Sequence, residues 1–411
     1  MDKKIKVLSV TPNKSGVGFF RCIRPHTYID EFYGDEFEVS ICEMINFNDP
    51  NWGVGFDLIH LHVACVNDYS SWEVKSKSLQ RSGVKIIVDT DDYFMLNSSL
   101  PNHKAFNINV TPKIKTVLSN ADYVTTTTPI YAKELLKLNK NVSVLPNAID
   151  EREEQFKDKK TNSKKLRLGI ICGSSHEKDI ELLRGVSNML KPDMDKLEFV
   201  LCGFDLRGDM IITDPKTGKQ TSRPLLPSEN VWTKYESIVT DNFSYVSEDY
   251  KKYLTSYIQN FEYPNVGNEH YVRRWTLEAN KYGTHYNHVD ILLVPLVNNT
   301  FNCMKSQLKV VESAFTGTNI IASNVGPYTI DLRSGYKKGG IIDYEANSIL
   351  IDSNKTAKDW VKAIKTLLND EKLRDSLKNN LRNEITEKYS LSKITKDRIE
   401  LYKKCLGKWF Q

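Results

Sequence analysis

The chain has 411 residues, 40% of them hydrophobic and 27% charged, with a net charge of +5 from 57 basic and 52 acidic side chains. That length predicts two domains, and the composition is that of a soluble globular protein; so small a basic surplus does not itself argue for nucleic-acid binding, and it suits an anionic ligand. No apolar run reaches the ~18–20 residues of a membrane span, and the seven cysteines, scattered singly, read as buried thiols of a reduced, cytoplasmic protein.

Ile5–Val10 is too short for the apolar core of a signal peptide and runs into Thr11-Pro12-Asn13-Lys14, so it reads as the first strand. The loop Thr11–Gly18 leads into a helix predicted over Phe19–Phe32. Phe37–Ile41, Asp57–Leu61, Lys85–Asp89, Tyr123–Thr126 and Val142–Leu145 follow as strands, with a helix over Ile130–Leu138. Lys85–Asp89 (KIIVD) has the β-branched, apolar character of a strand buried on both faces. His60, His62 and Cys65 lie close together as zinc ligands do, but the histidines alternate with apolar residues as strand residues do. Glu151–Lys165 is almost wholly charged or polar and reads as an exposed linker between domains at 1–150 and 166–389.

The alternation restarts with a strand at Leu168–Cys172, a helix over His176–Leu190 and a strand at Leu197–Cys202. Asp205–Asn287 is too long for a simple connection and is predicted to hold elements of its own. Asp290–Pro295 and Asn319–Ala322 read as strands around a helix at Lys305–Phe315, and the tail from Thr356 to Gly407 reads as helical throughout. Two successive α/β halves predict two parallel sheets. Such sheets bind ligands beyond the carboxyl ends of their strands, so an interdomain cleft is the expected site.

Five constellations carry chemistry. In FNCMKSQLKVVESAFTG, Phe301 to Gly317, Lys305 and Ser306 are placed at a helix N-terminus, where free N–H groups and a lysine suit phosphate. Lys309 and Glu312 follow on the same face; they read either as donor ligands or as a surface ion pair. Cys172-Gly173-Ser174-Ser175-His176 forms a strand–turn–helix junction, with Ser174 or Ser175 as the expected cap and Gly173 open to a ligand. Gly16, Val17 and Gly18 form a short glycine loop, followed by Arg21 and Arg24, which supply charge or are simply solvated. Asp89-Thr90-Asp91-Asp92 ends a buried strand; paired carboxylates suit a hard cation or orient acceptor hydroxyls, with His103 in the same region. Arg273 and Arg274, in Tyr-Val-Arg-Arg-Trp, read as phosphate ligands, as a nucleic-acid surface or as internal ion pairs.

The Phe301–Gly317 segment resembles the donor motif of retaining GT-B glycosyltransferases related to glycogen synthase and the bacterial lipopolysaccharide enzymes. In that family two glutamates stand eight positions apart, with a glycine and a strand after the second. Glu312, Gly317 and Asn319–Ser323 match; Met304 stands where the first glutamate would be. The loop resembles a branch reading Phe-Asn-x-x-Lys-Ser-x-Leu-Lys, and the Gly-Phe-Asp-x-Arg-Gly and Tyr-x-Arg-x-Trp pieces are similar to sequences of gut bacteria and their phages. The resemblance implies a GT-B fold, two Rossmann-like domains facing across a cleft, with the C-terminal helix at 390–411 packing back on the first. It implies transfer of a hexosyl or pentosyl group from a UDP- or GDP-sugar to a hydroxyl of a glycan, a protein or modified DNA, with retention and without metal or other cofactor. Donor binding then falls to Gly173, Ser174, His176, Arg273, Arg274, Lys305, Ser306, Lys309 and Glu312. The diphosphate and acceptor loop is Gly16, Val17, Gly18 and Arg21, and Asp91, Asp92 and His103 act at the acceptor. A silent nucleotide-sugar-binding protein is the non-enzymatic alternative.

Overall fold

Short β-branched runs in the first 150 positions pair as one parallel sheet. The computed structural model describes residues 3–96, 103–213, 219–226, 229–241, 266–268, 270–336 and 340–407. Strands β1 (Ile5–Val10), β2 (Phe37–Cys42), β3 (Leu58–His62), β4 (Lys85–Asp89), β5 (Tyr123–Thr126) and β6 (Val142–Val144) lie in the order β2-β1-β3-β4-β5-β6. Every residue of β3 is buried, as a central strand covered on both faces requires.

The second half repeats the plan. Its strands are β7 (Leu166–Ile171), β8 (Leu197–Phe204), β11 (Val266–Asn268), β12 (Tyr271–Trp275), β13 (Ile291–Val294), β14 (Asn319–Ser323) and β15 (Ile349–Ile351), with β9 (Asp209–Thr213) and β10 (Gln220–Pro224) forming a separate antiparallel hairpin. The main sheet runs β11-β12-β8-β7-β13-β14-β15 and is parallel except at the β11–β12 edge. The long segment after β8 thus supplies the hairpin, a helix at Val231–Thr240 and the strand β12.

The chain crosses between the halves twice, and the crossings are stitched together. The Ile149 amide donates to the Tyr389 carbonyl at 3.1 Å, and the Leu391 amide donates to the Ile149 carbonyl at 2.7 Å. The last helix, Leu391–Cys405, then lies on the first sheet, where Ile399, Leu401 and Tyr402 pack with Ile5, Val7, Leu58 and Ile87. The Tyr402 hydroxyl contacts His26 Nε2 at 2.7 Å and His60 Nδ1 at 2.5 Å.

Three local expectations change. The helix expected over His176–Leu190 breaks at Gly185, whose φ of +86° is left-handed and favours glycine. The segment 151–165 is tacked onto the second domain rather than fully exposed: Phe156 is buried, and Lys160 Nζ donates to the Tyr286 and Val289 carbonyls and to Thr318 Oγ1. His60, His62 and Cys65 do not converge, because they bond Tyr402, Asp91 and the Val10 carbonyl respectively.

Candidate active site

Two cavities lie where the carboxyl ends of the sheets face one another. The smaller, about 160 Å³, is lined by Asp91 and Asp92 from the first domain and by His176, Lys305, Ser306, Leu308, Lys309 and Tyr328 from the second. The larger, about 970 Å³, is lined by Ser15, Gly16, Phe19 and Phe20 on one side and by Gly173, Gly203, Trp232, Glu278, Tyr282 and His285 on the other. Ile171, Cys172, Leu308 and Lys309 line both, so the lysine stands at their junction.

The first wall is acidic. Asp89 closes β4 but turns inward: both its oxygens are bound by Arg21, Nε at 2.9 Å and Nη2 at 2.6 Å, and Thr125 donates to one of them at 2.6 Å. Asp91 leaves the strand end towards the cavity and accepts from His62 Nε2 at 2.9 Å. Burial would raise its pKa, but the hydrogen bond and charge of His62 win and hold it below the ordinary carboxylate range. Burial likewise opposes the charged form of His62, and Asp91 raises it on balance. Asp89 and Asp91 therefore point to different partners and offer no convergent pair for a cation.

The second wall is basic. The helix begins at Leu308, three residues later than expected, with Gln307 as its cap. Lys305 and Ser306 sit in the turn before it. Lys305 Nζ lies 3.8 Å from Asp92 Oδ1 across the small cavity, and Ser306 Oγ accepts from Asn147 Nδ2 of the first domain at 3.2 Å. Lys309 Nζ donates to Glu312 at 2.7 Å. The pair is internal rather than on the surface: Glu312 is fully buried, lines neither cavity and also accepts from Tyr282 and, at 2.6 Å, Tyr286. Burial lowers the Lys309 pKa to about 8 and raises that of Glu312.

The remaining candidates divide sharply. Gly16 and Gly173 face open space, whereas a Cβ at Gly18 would lie 1.8 Å from the Asn13 carbonyl oxygen, so only glycine fits that loop. Val17 lines neither cavity. Arg21, expected to be solvated or facing the cleft, is fully buried, and its other nitrogen reaches the Leu145 carbonyl and Asn147. Arg24 is spent on Asp150 and Glu153. Ser174 is exposed and makes no cap; His176 takes that position, its Nδ1 2.8 Å from Asp179 Oδ2. Asp179 in turn accepts from the Val297 amide and Asn302 Nδ2, which ties His176 to the Phe301–Gly317 loop. His103 opens a helix, His103–Asn109, and lines neither cavity.

Neighbouring arginines meet opposite fates because successive strand residues face opposite sides. Arg273 is buried, bound to Glu236 at 2.9 and 2.5 Å and stacked over Phe204. Arg274 faces the other way, and its Nε has no hydrogen-bond partner among the described residues. Burial lowers its pKa without a compensating carboxylate, and it helps depress the pKa of His285, a cavity-lining residue, to about 3 after burial itself. With Tyr271, Arg273 and Trp275 all buried, the segment makes no nucleic-acid surface. Sequence reasoning passed over Asn147, Asp179 and Tyr286, which orient these groups, and weighed His62 only beside His60 and Cys65.

The fold has clear likenesses among solved structures. Sucrose-phosphate synthase from Thermosynechococcus elongatus superposes with a TM-score of 0.64 at 14% identity, covering 98% of this chain and 99% of that one. A glycosyltransferase from Rickettsia africae gives 0.60 at 13% identity, covering 98% and 99%. Anabaena HepE in complex with UDP-glucose gives 0.58 at 11%, covering 97% and 100%. No family model matches the sequence, and neither does any curated protein. The likeness is one of architecture: the chain has the GT-B fold, two Rossmann-like domains across a cleft.

Proposed function

We propose that the protein is a glycosyltransferase that moves a sugar from a nucleotide-sugar to an acceptor hydroxyl. The observation that carries this reading is the pair of joined cavities between the sheets, with Lys309 at the junction, Lys305 and Ser306 on one wall and Asp91 and Asp92 on the other. A nucleotide-sugar has the matching layout: an apolar base, a dianionic diphosphate and a hydroxyl-rich sugar. The base suits the larger, aromatic cavity, the diphosphate suits the lysines, and the sugar suits the small polar cavity. HepE, of the same fold, holds UDP-glucose, which supports a UDP-sugar over the GDP alternative.

In the reaction the bond between the anomeric carbon and the phosphate oxygen breaks, and the acceptor oxygen bonds to that carbon. The acceptor proton passes to the departing phosphate. Charge grows on the diphosphate, and fixed cations already aimed at it lower the barrier. Lys305 and Lys309, which line the cavities, supply that charge from the protein, so no metal is required. Asp91 accepts a hydrogen bond from the acceptor hydroxyl and orients it. The match of Glu312 and Gly317 to the retaining family supports retention, with Glu312 holding Lys309 rather than touching the donor in this conformation. A panel of UDP- and GDP-sugars, scored by thermal shift and by nucleotide release, tests the reading. Stabilisation and release by one donor, both lost in Lys309→Ala, is the expected result; a panel that neither binds nor turns over overturns it.

A further inference from the structure

The first wall contains a histidine whose place the reaction does not yet use. His62 is the last residue of β3, beside Asp89 in the register with β4, and its side chain is only 7% exposed. Both ring nitrogens are committed. The Ala64 amide donates to Nδ1 at 3.2 Å, which leaves the proton on Nε2, and Nε2 lies 2.9 Å from Asp91 Oδ1. The turn Val63–Cys65 starts at His62, which accepts from its second residue, so the backbone itself sets the ring. Asp91 makes no other hydrogen bond among the described residues, yet it lines the small cavity and its side chain is 17% exposed.

A carboxylate that accepts at one oxygen and is open at the other has a fixed direction. Without His62, Asp91 would rotate freely about its terminal torsion, which is broad for this side chain, or turn towards the lysine wall, as Asp92 does with Lys305 at 3.8 Å. The second choice would quench the charge difference between the walls.

We propose that His62 is a positioning residue: it clamps one oxygen of Asp91 so that the other is presented to the acceptor hydroxyl in the small cavity. The inference rests on the glycosyltransferase reading above, and it adds the group that keeps the acceptor carboxylate aimed. The geometry is that of an outer partner orienting a reacting group, for which loss of the partner costs roughly 10–100-fold in activity.

The test uses the whole chain, with UDP as the binding probe and UDP-glucose turnover, read as UDP release, as the activity. His62→Ala is expected to lower kcat about 10–100-fold while the UDP Kd stays within about twofold, because the diphosphate is held on the other wall. His62→Gln, whose amide still donates towards Asp91, is expected to recover most of the loss. In His62→Ala/Asp91→Ala the loss is expected to equal that of Asp91→Ala alone, since residues acting as a unit are not additive. Additive losses, or His62→Ala with the wild-type kcat, overturn the proposal. If the wild type releases no UDP from UDP-glucose, that activity reading fails by itself, and the clamp is read from the ¹⁵N shifts of the His62 ring. Those shifts must move on Asp91→Asn; unchanged shifts overturn the clamp.

Discussion

The two walls of the cleft are built from the same material, a parallel sheet ending in charged residues, and reach opposite results. On the first wall the arginine near the strand ends, Arg21, is withdrawn and spent on Asp89, which leaves Asp91 and Asp92 as the charges that face the small cavity. On the second wall Glu236 is buried against Arg273 and Glu312 against Lys309, both fully shielded, and no acid of that wall lines the small cavity. There lysines 305 and 309 face the cavity. Internal ion pairs thus decide which groups are left to meet a ligand: two aspartates on one wall, and Lys305 with the ammonium end of the Lys309–Glu312 pair on the other. The acidic wall is fit for hydroxyl donors and the basic wall for phosphate.

That contrast can be broken from either side. The largest effect is expected from Asp91→Ala, which should lower UDP-glucose turnover by about 10²–10⁴-fold with the UDP Kd unchanged, read by steady-state kinetics and calorimetry. Lys309→Ala should lower turnover by about 10²–10³-fold and, unlike the aspartate change, weaken UDP. Arg273→Ala attacks the support of the second wall: it strands Glu236 as an unpaired buried charge and should cost about 3–5 kcal/mol in urea unfolding. The folded fraction should still bind UDP with wild-type affinity.

The smallest effect concerns pH. Burial places the Lys309 pKa near 8 in the free protein, so its ammonium is present below that value and lost above it. UDP affinity should therefore fall as pH rises through about 8, by roughly 1.5 kcal/mol or about tenfold, the worth of one charge-assisted hydrogen bond. Titrations at several pH values check this, and Lys309→Arg should flatten the curve because a guanidinium stays charged.

Much of the architecture was legible in the sequence, since buried parallel strands are short β-branched runs and the polar stretch after Pro146 separates two such series. Lys85–Asp89 is found at its predicted bounds. The bounds of helices were harder to read. Gly185 stops one by its backbone conformation, and the Lys305-Ser306 turn precedes the helix it was placed on. The site was legible as residue types but not as directions. Arg273 and Arg274 are neighbours in sequence and point to opposite faces of a strand; only the partner Glu236, 37 positions away, decides which one is consumed. Arg21 and Asp89 are likewise 68 positions apart. His62 was noticed for its nearness to His60 and Cys65, whereas its partner is Asp91, which comes alongside only when β3 and β4 pair.

The most direct test sets the walls against one another in a single calorimetric series, with UDP titrated into the wild type, Lys309→Ala and Asp91→Ala. Binding to the wild type, retained by Asp91→Ala and weakened at least tenfold in Lys309→Ala, is the predicted result. Equal weakening by both changes, or no binding to the wild type, would contradict a diphosphate held by the basic wall alone.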